Sequence, residues 1–583
     1  MTHTSTDQPA RRATGALVPV LAFAGIVVAV MQTLLVPVIK DLPTLLSTSP
    51  SNATWVLTST LLSGAVATPI MGRLGDLFGK RRMLFTSLAV MVAGALVSAL
   101  TSTLLPMIVG RTLQGFAMGA IPLGIGLMRD MLPREKLGSA MALMSSSIGV
   151  GGGLALPAAA LVAQHTNWHA LFYGAAGLGV VSIVLTFLVV PESPMRAEGS
   201  FDYLGALGLS VGLVLFLLPI TKGSDWGWSS ATTLGLFGAA VAVLLLWGLM
   251  ELKVAAPLVD LRTTARPAVL FTNLASIMVG VSFYVVSLVL PQLLQLPAAT
   301  GYGLGQSMVV AGLCVAPLGL TMMFTAPVYA RISAKYGPKV TLIIGMVIIA
   351  VGYGGGLGLM NAAWQTIVIS VVLGAGIGLA YSSLPALIVG AVPASETGAA
   401  NGLNTLMRSI GTSVSSAVIG MVLANTAHHV GGVAVPTMHG FRVSFLIATG
   451  AVAVGLVLAL FLPRQRQATK PQLRASSEED AALERAAEVL GGFRGRVLNA
   501  GGDPVARAKV TLIDRRGRQA GATLSAEDGS YALAVPAQGA YVLAAKAAGH
   551  GPLASSATHA GDDRPVDVDL SLPGADRNSG VPA

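Results

Sequence analysis

Cysteine is almost missing: Cys314 is the single one in 583 residues, so no intrachain disulfide framework exists. Charge is scarce as well, at 11% of residues against 53% hydrophobic. A water-soluble fold of that composition would expose more apolar surface than water tolerates, which leaves the bilayer as the expected solvent. There is no Walker A loop or other nucleotide cradle, which excludes ATP as a direct drive. The eight histidines form no His-x-x-Glu or His-Glu-x-x-His arrangement, so no metal is expected. No nucleophile, base and orienting group can be assembled from motif spacing, so the chain reads as no enzyme and calls for no cofactor.

What fills the sequence is apolar runs. Each of fourteen is long enough, at 1.5 Å per residue, to cross about 30 Å of hydrocarbon. They are read at 16–39, 55–75, 83–102, 105–128, 138–163, 169–190, 203–221, 231–250, 268–295, 304–330, 340–360, 364–390, 402–425 and 440–463. The first is expected to remain as a helix. Arg11 and Arg12 precede a run longer than a signal h-region, and no small-residue cleavage site follows it.

Before residue 464 stand 21 Lys and Arg against 12 Asp and Glu, a net +9 of the chain's +10. The basic residues fall in alternate loops, such as Arg73 with Lys80, Arg81 and Arg82, or Arg331 with Lys335 and Lys339. The intervening loops hold little beyond Lys40, Lys222 and Arg442. By the positive-inside rule both termini are expected in the cytoplasm, on a multi-pass protein of the plasma (inner) membrane. The basic balance therefore marks topology and not a nucleic-acid partner. Trp226 and Trp228, after the seventh span, read as interface anchors. Acid is what the spans lack: none of the 12 acidic residues lies deep in one. Proton coupling needs a group that burial and charge can tune, and only peripheral candidates remain in Asp41, Asp76 and Asp130.

Between the second and third spans runs Gly72-Arg-Leu-Gly-Asp76-Leu-Phe-Gly79-Lys80-Arg81-Arg82. Glycines let helix ends approach, and a carboxylate can satisfy free N–H groups at the start of a facing helix. Lys80, Arg81 and Arg82 also serve to fix topology. The pattern resembles the signature loop of the major facilitator superfamily, in the family's own position. That resemblance implies that Gly72, Asp76, Gly79, Arg81 and Arg82 latch the cytoplasmic side against a helix end at 396–401. Leu77 stands where the family has a basic residue, which is expected to loosen its charge relay. A weaker echo, from Pro327 to Lys339, follows the tenth span, as two six-helix bundles with two extra spans between them would give.

Three further segments resemble parts of the same family. Arg111, with Gln114 and Gly115, lies inside the fourth span, where an arginine costs about 3 kcal/mol and needs protein or water around it. It is similar to the antiporters' fourth-span motif, which implies a role in proton coupling; helix packing against carbonyls and Gln114 is the other reading. The fifth span, with Gly149, Gly151, Gly152, Gly153 and Pro157, resembles the antiporter motif of drug exporters, with Leu156 and alanines replacing its flanking glycines. Arg408, with Gly411 near the inner end of the thirteenth span, resembles the family's segment there and is expected as an inner-gate partner for Asp76. Gln32, Asn273, Tyr284, Gln292 and Asn404 are candidates to line a cavity or to bond helix to helix.

After Pro463 the character changes. Ser476-Ser-Glu-Glu479 reads as a capping box opening a short helix that Gly491 and Gly492 stop. From Phe493 the period becomes two, through Val510 and Leu512, Tyr531, Leu533 and Val535, Tyr541 and Leu543, then Val566, Val568 and Leu570, as in a small antiparallel sandwich. Gly495-x-Val497, Gly502-x-Pro504, Asp528-x-x-Tyr531 and Gly539-x-Tyr541 resemble the carboxypeptidase regulatory-like, transthyretin-like domain. This implies a binding or scaffold module whose partner is unknown.

The expected fold is an all-α polytopic membrane protein, a major facilitator fold of 14 transmembrane helices followed by a small all-β sandwich. Its expected parts are a cytoplasmic tail 1–14, a six-helix bundle 15–190, two additional helices 191–267, a second bundle 268–463, a linker with a short helix 464–492, the sandwich 493–573 and a disordered tail 574–583. The resemblance, to the fourteen-span drug:proton antiporter branch, implies export of amphipathic small molecules by alternating access, with protons as counter-substrate and the lipid bilayer as partner. A narrow exporter of an endogenous metabolite, an anionic one being what Arg111 would suit, and a non-transporting sensor or scaffold built around the sandwich are the alternatives.

Overall fold

The computed structural model describes residues 8–463 except 36–37, 39–40, 255 and 431–432, and residues 492–573 except 516–518, 536–537, 548–549 and 560–564. It divides into two compact units at residue 465. The expected linker helix within 464–491 and the tail 574–583 lie outside the described residues.

With no water in hydrocarbon to satisfy backbone groups, long apolar runs must close their hydrogen bonds internally, as helices. Among the described residues fourteen such helices form: α1 (Ala16–Thr33), α2 (Ser51–Phe78), α3 (Lys80–Ala99), α4 (Leu104–Met131), α5 (Lys136–Ala163), α6 (His169–Val189), α7 (Tyr203–Trp226), α8 (Ala231–Glu251), α9 (Pro267–Gln295), α10 (Met308–Tyr336), α11 (Pro338–Gly356), α12 (Ala363–Val389), α13 (Ala394–Asn425) and α14 (Met438–Leu460). Two ends differ from the sequence reading. Helix α1 stops at Thr33, six residues short of the expected end, where the Thr33 hydroxyl donates back to the Ala29 carbonyl. Pro37 beyond it has no N–H to give a helix. Helix α13 starts at Ala394, eight residues early, because its first free N–H groups find an acceptor on α2.

One apolar core joins α1 to α6, and a second joins α9 to α14. The two bundles meet along two seams, α2 with α13 and α5 with α10, so the second helix of each packs on the fifth of the other. That exchange is what two repeats related by a pseudo-twofold axis would make. Both seams use glycine for close backbone approach: Gly72 packs on the Gly398 carbonyl and Gly319 on that of Gly149, with no room for a Cβ. Helices α7 and α8 pack on each other, and α7 lies along the α2–α13 seam, where Leu209 and Leu213 join Ala65, Leu403 and Leu406. Only 11% of α8 is buried, against 72% of α12, so α8 is left to lipid. Lys222 pins α7 to the start of α2: its ammonium donates to the Ser51 carbonyl (2.6 Å) and the Thr54 hydroxyl, pairs with Asp225 and lies 5.0 Å from the centre of the Trp55 ring. A hairpin of β1 (Ala427–Val430) and β2 (Val433–Pro436) links α13 to α14.

The second unit holds two four-stranded sheets. One pairs β3 (Gly492–Leu498) with β6 (Ser530–Ala534), β9 (Val566–Asp567) and β10 (Leu570–Ser571). The other runs β5 (Gln519–Leu524), β4 (Lys509–Ile513), β7 (Gly539–Lys546), β8 (Leu553–His559). Phe493, Val497, Val510, Leu512, Leu533, Leu543 and Leu570 fill the space between them, as their period of two requires. The sandwich is not wholly antiparallel, because β9 and β10 both run parallel to β3. Gly492 opens β3.

Candidate functional site

Gly79 turns the chain from α2 into α3 at φ +110°, a conformation side chains resist. Asp76 there is fully buried. Its carboxylate accepts the N–H of Gly398 (3.1 Å) and of Ala399 (2.8 Å) and lies 3.3 Å from the Lys80 ammonium. A negative charge on two free amides at a helix start is a charge-assisted cap, each bond contributing about 1.5–3 kcal/mol. Lys80, also fully buried, passes the pairing to Asp130 on α4 at 2.8 Å, and the Ser193 hydroxyl donates to the same oxygen. Lys80, three residues after Leu77, thus joins Asp76 to Asp130.

Beside Asp130, Arg129 crosses the seam. Its guanidinium donates to the carbonyls of Val392 (2.8 Å) and Pro393 (3.0 Å) and to the Thr397 hydroxyl. Arg81 belongs to a different contact. It donates to the Phe187 carbonyl and lies over the rings of Phe85 and Phe187, while its N–H and that of Ser193 are accepted by Glu192. Arg82 is exposed. Of the five residues expected to latch, Gly72 and Asp76 make the contact across the seam, Gly79 shapes the turn, and Arg81 fastens α3 to α6.

A cavity of ≈ 230 Å³ lies beside this latch, lined by Arg73, Glu198, Val259, Asp260, Glu396 and Ala399 among others. Asp260 caps the short helix Leu261–Thr264. Burial pushes its carboxyl up, but donation from the Thr263 hydroxyl and the N–H groups of Thr263 and Arg262 outweighs that and holds it below its ordinary range. Nearby, Glu251 is buried at the end of α8 and accepts the Val259 N–H.

Arg111 is 1% exposed and donates from Nε and Nη1. It donates to the carbonyls of Met31 (3.0 Å) and Val56 (3.3 Å) and to the Gln114 side chain (2.6 Å), tying α4 to α1 and α2. Gln114 in turn donates to Ser98 on α3, and Gly115 meets Thr60 and Ser63 on α2. Directly after this trio α4 narrows to a 3₁₀ turn, Phe116–Gly119. In α5, Gly149 and Gly151 take the close contacts and Pro157 packs on Gly312 of α10, whereas nothing lies within 4 Å of a Cβ on Gly152.

Arg408 corrects the sequence reading. It sits near the middle of α13, not at its inner end, so Asp76 at the helix start is out of its reach. Its guanidinium lies instead 4.7 Å from the centre of the Tyr381 ring on α12. Asn273 and Asn404 bond to each other across α9 and α13, and Tyr284 donates to Ser416.

A family model described as Major Facilitator Superfamily matches residues 21–316 and 272–500, and one described as carboxypeptidase regulatory-like domain matches 492–573. The tetracenomycin C resistance and export protein of Streptomyces glaucescens is 26% identical over 400 residues, covering 65% of this chain and 70% of that one. A multidrug resistance protein B homolog of Mycobacterium tuberculosis is 28% identical over 311 residues, 52% of this chain and 55% of its own. Among solved structures, the proton:xylose symporter XylE aligns with a TM-score of 0.56 at 15% identity over 78% of this chain and 96% of its own. The human organic anion transporter MFSD10 aligns with a TM-score of 0.54 at 14% identity over 78% and 100%. At such identities the two structures speak for the fold alone.

Proposed function

The chain belongs to the Major Facilitator Superfamily, and from that premise we propose that it is a secondary active efflux transporter, exporting amphipathic small molecules from the cytoplasm by alternating access in exchange for protons. The observation that carries this reading is the latch across the α2–α13 seam. Asp76 caps the start of α13, and Arg129 grips the carbonyls just before it. These are polar bonds between two separate cores, so they can be made and broken while each bundle stays packed. The positive-inside pattern supports a reading in which the latch and both termini lie on the cytoplasmic face of the plasma membrane. Two relatives are named for resistance, one of them also for export, which favours efflux over uptake.

On this reading Arg111 links α1, α2 and α4 and transmits the proton step, with Asp76 and Asp130 as the acidic groups that change partners when the latch opens. The test is efflux of a preloaded lipophilic dye from cells expressing the wild type or Arg111→Ala. Protonophore-sensitive efflux that the substitution abolishes is the expected result. Efflux indifferent to the protonophore would remove the proton from the reading.

A further inference from the structure

Two arginines lie at depth in the membrane unit, and their surroundings are opposite. Arg111 spends its donors on three oxygens of the protein. Arg408 is 93% buried in the same sense, 7% exposed, yet among the described residues its guanidinium donates no hydrogen bond and makes no ion pair; it meets the face of Tyr381. It stands roughly 20–25 Å from either end of its helix at 1.5 Å per residue, where a cation without a partner is costly. Among the described residues no carboxylate pairs with it. Asp76 and Asp130 hold Lys80, Glu192 caps α3, Asp225 holds Lys222, and Glu251 holds the connector after α8.

We infer that Arg408, with Tyr381 and Phe283, is the binding site for the negatively charged group of the exported molecule, and that the substrate class is planar aromatic anions. The inference rests on the efflux reading and names the substrate of that transporter. Tyr381 covers one face of the guanidinium and leaves its N–H edges, the two-pronged donor that fits a carboxylate or sulfonate, without a protein acceptor. The Tyr381 ring stands 5.6 Å from that of Phe283 on α9, so an aromatic body has rings to lie against beside the charge. A turn earlier on α13, the Oδ1 of Asn404 is buried without a donor, an acceptor for a hydroxyl on the same ligand.

The test uses two xanthene dyes of similar shape and opposite charge, carboxyfluorescein and rhodamine 123. Binding to the purified full chain is read by anisotropy, and efflux of both dyes from proteoliposomes is read in parallel. Carboxyfluorescein binds the wild type, Arg408→Gln weakens it about tenfold or more, and Arg408→Lys falls between, since a point charge keeps attraction without the fork. Rhodamine 123 binding does not weaken in Arg408→Gln, which also shows that the variant is folded. Equal carboxyfluorescein binding by wild type and Arg408→Gln overturns the inference. So does a wild type that binds and exports only rhodamine 123, an outcome that leaves the efflux reading standing. Export of neither dye sinks the efflux reading and the inference with it.

Discussion

Asp76 on α2 accepts the backbone N–H of Ala399 on α13 at 2.8 Å, across 323 residues of chain. The bond joins the last turn of one helix to the first turn of another, so one carboxylate at the end of a first-bundle helix caps the start of a second-bundle helix. Asp76→Ala removes the cap and strands Lys80 with Asp130 alone. Efflux is expected to fall about tenfold or more, a loss of the size that broken charge-assisted bonds give. Vesicle efflux at matched protein levels checks this, and unchanged efflux would make the contact incidental.

Gly72 and Gly152 were both read as functional glycines, and the structure separates them. A Cβ on Gly72 meets the Gly398 backbone, whereas one on Gly152 meets nothing within 4 Å. Gly72→Val therefore disrupts closure and efflux, and Gly152→Ala leaves efflux within about twofold while gaining up to about 1 kcal/mol of helix propensity. Thermal unfolding and dye efflux of the two variants decide between them.

Arg129→Ala is expected to impair efflux as severely as Asp76→Ala, and Arg82→Ala to leave it near wild type. Arg129 bonds three oxygens across the seam, while Arg82 is exposed. Equal effects in a side-by-side efflux assay would mean that charge at this face matters and the bonds do not.

Those contrasts show what a sequence can carry. The spans were legible because about 20 apolar residues have one solution in a bilayer. Asp76 and the start of α13 were legible through the signature loop. Arg129, Lys80 and Glu192 were not, since their partners stand 263, 50 and 111 positions away and each reads alone as a topology charge or a loop acid. Arg408 is misplaced by the sequence because the polar residues 394–401 read as a loop, whereas they form the start of α13. In the sandwich, β5 and β8 were missed because Gln519–Leu524 and Leu553–His559 carry few large apolar residues, so their alternation is faint.

Asp260 gives a pH-dependent expectation. Its carboxyl is held below the ordinary range by the hydrogen bonds it accepts, so its ionised form stabilises the fold. That contribution is present above the unfolded carboxyl's value of about 4 and is lost as pH falls through the lower folded value. Asp260→Asn should unfold at a lower temperature than wild type at neutral pH, with the gap narrowing below about pH 4. A gap that widens with acid would reverse the sign.

The sandwich forms a unit with its own core, and Phe493 is fully buried within it. Phe493→Ala should cost that unit about 3–5 kcal/mol. Dye efflux should be unchanged by this substitution and should survive deletion of residues 464–583. Loss of efflux on deletion would favour a working role for the sandwich.

The most direct test of the central claim is proton movement itself. Proteoliposomes holding the purified chain and a trapped pH dye are given a pH gradient, and a substrate found by efflux is added. Exchange predicts that substrate addition dissipates the gradient in the wild type, and that neither Arg111→Ala nor Asp76→Ala does so. Substrate movement with the gradient untouched would contradict it and leave a facilitator with no proton step.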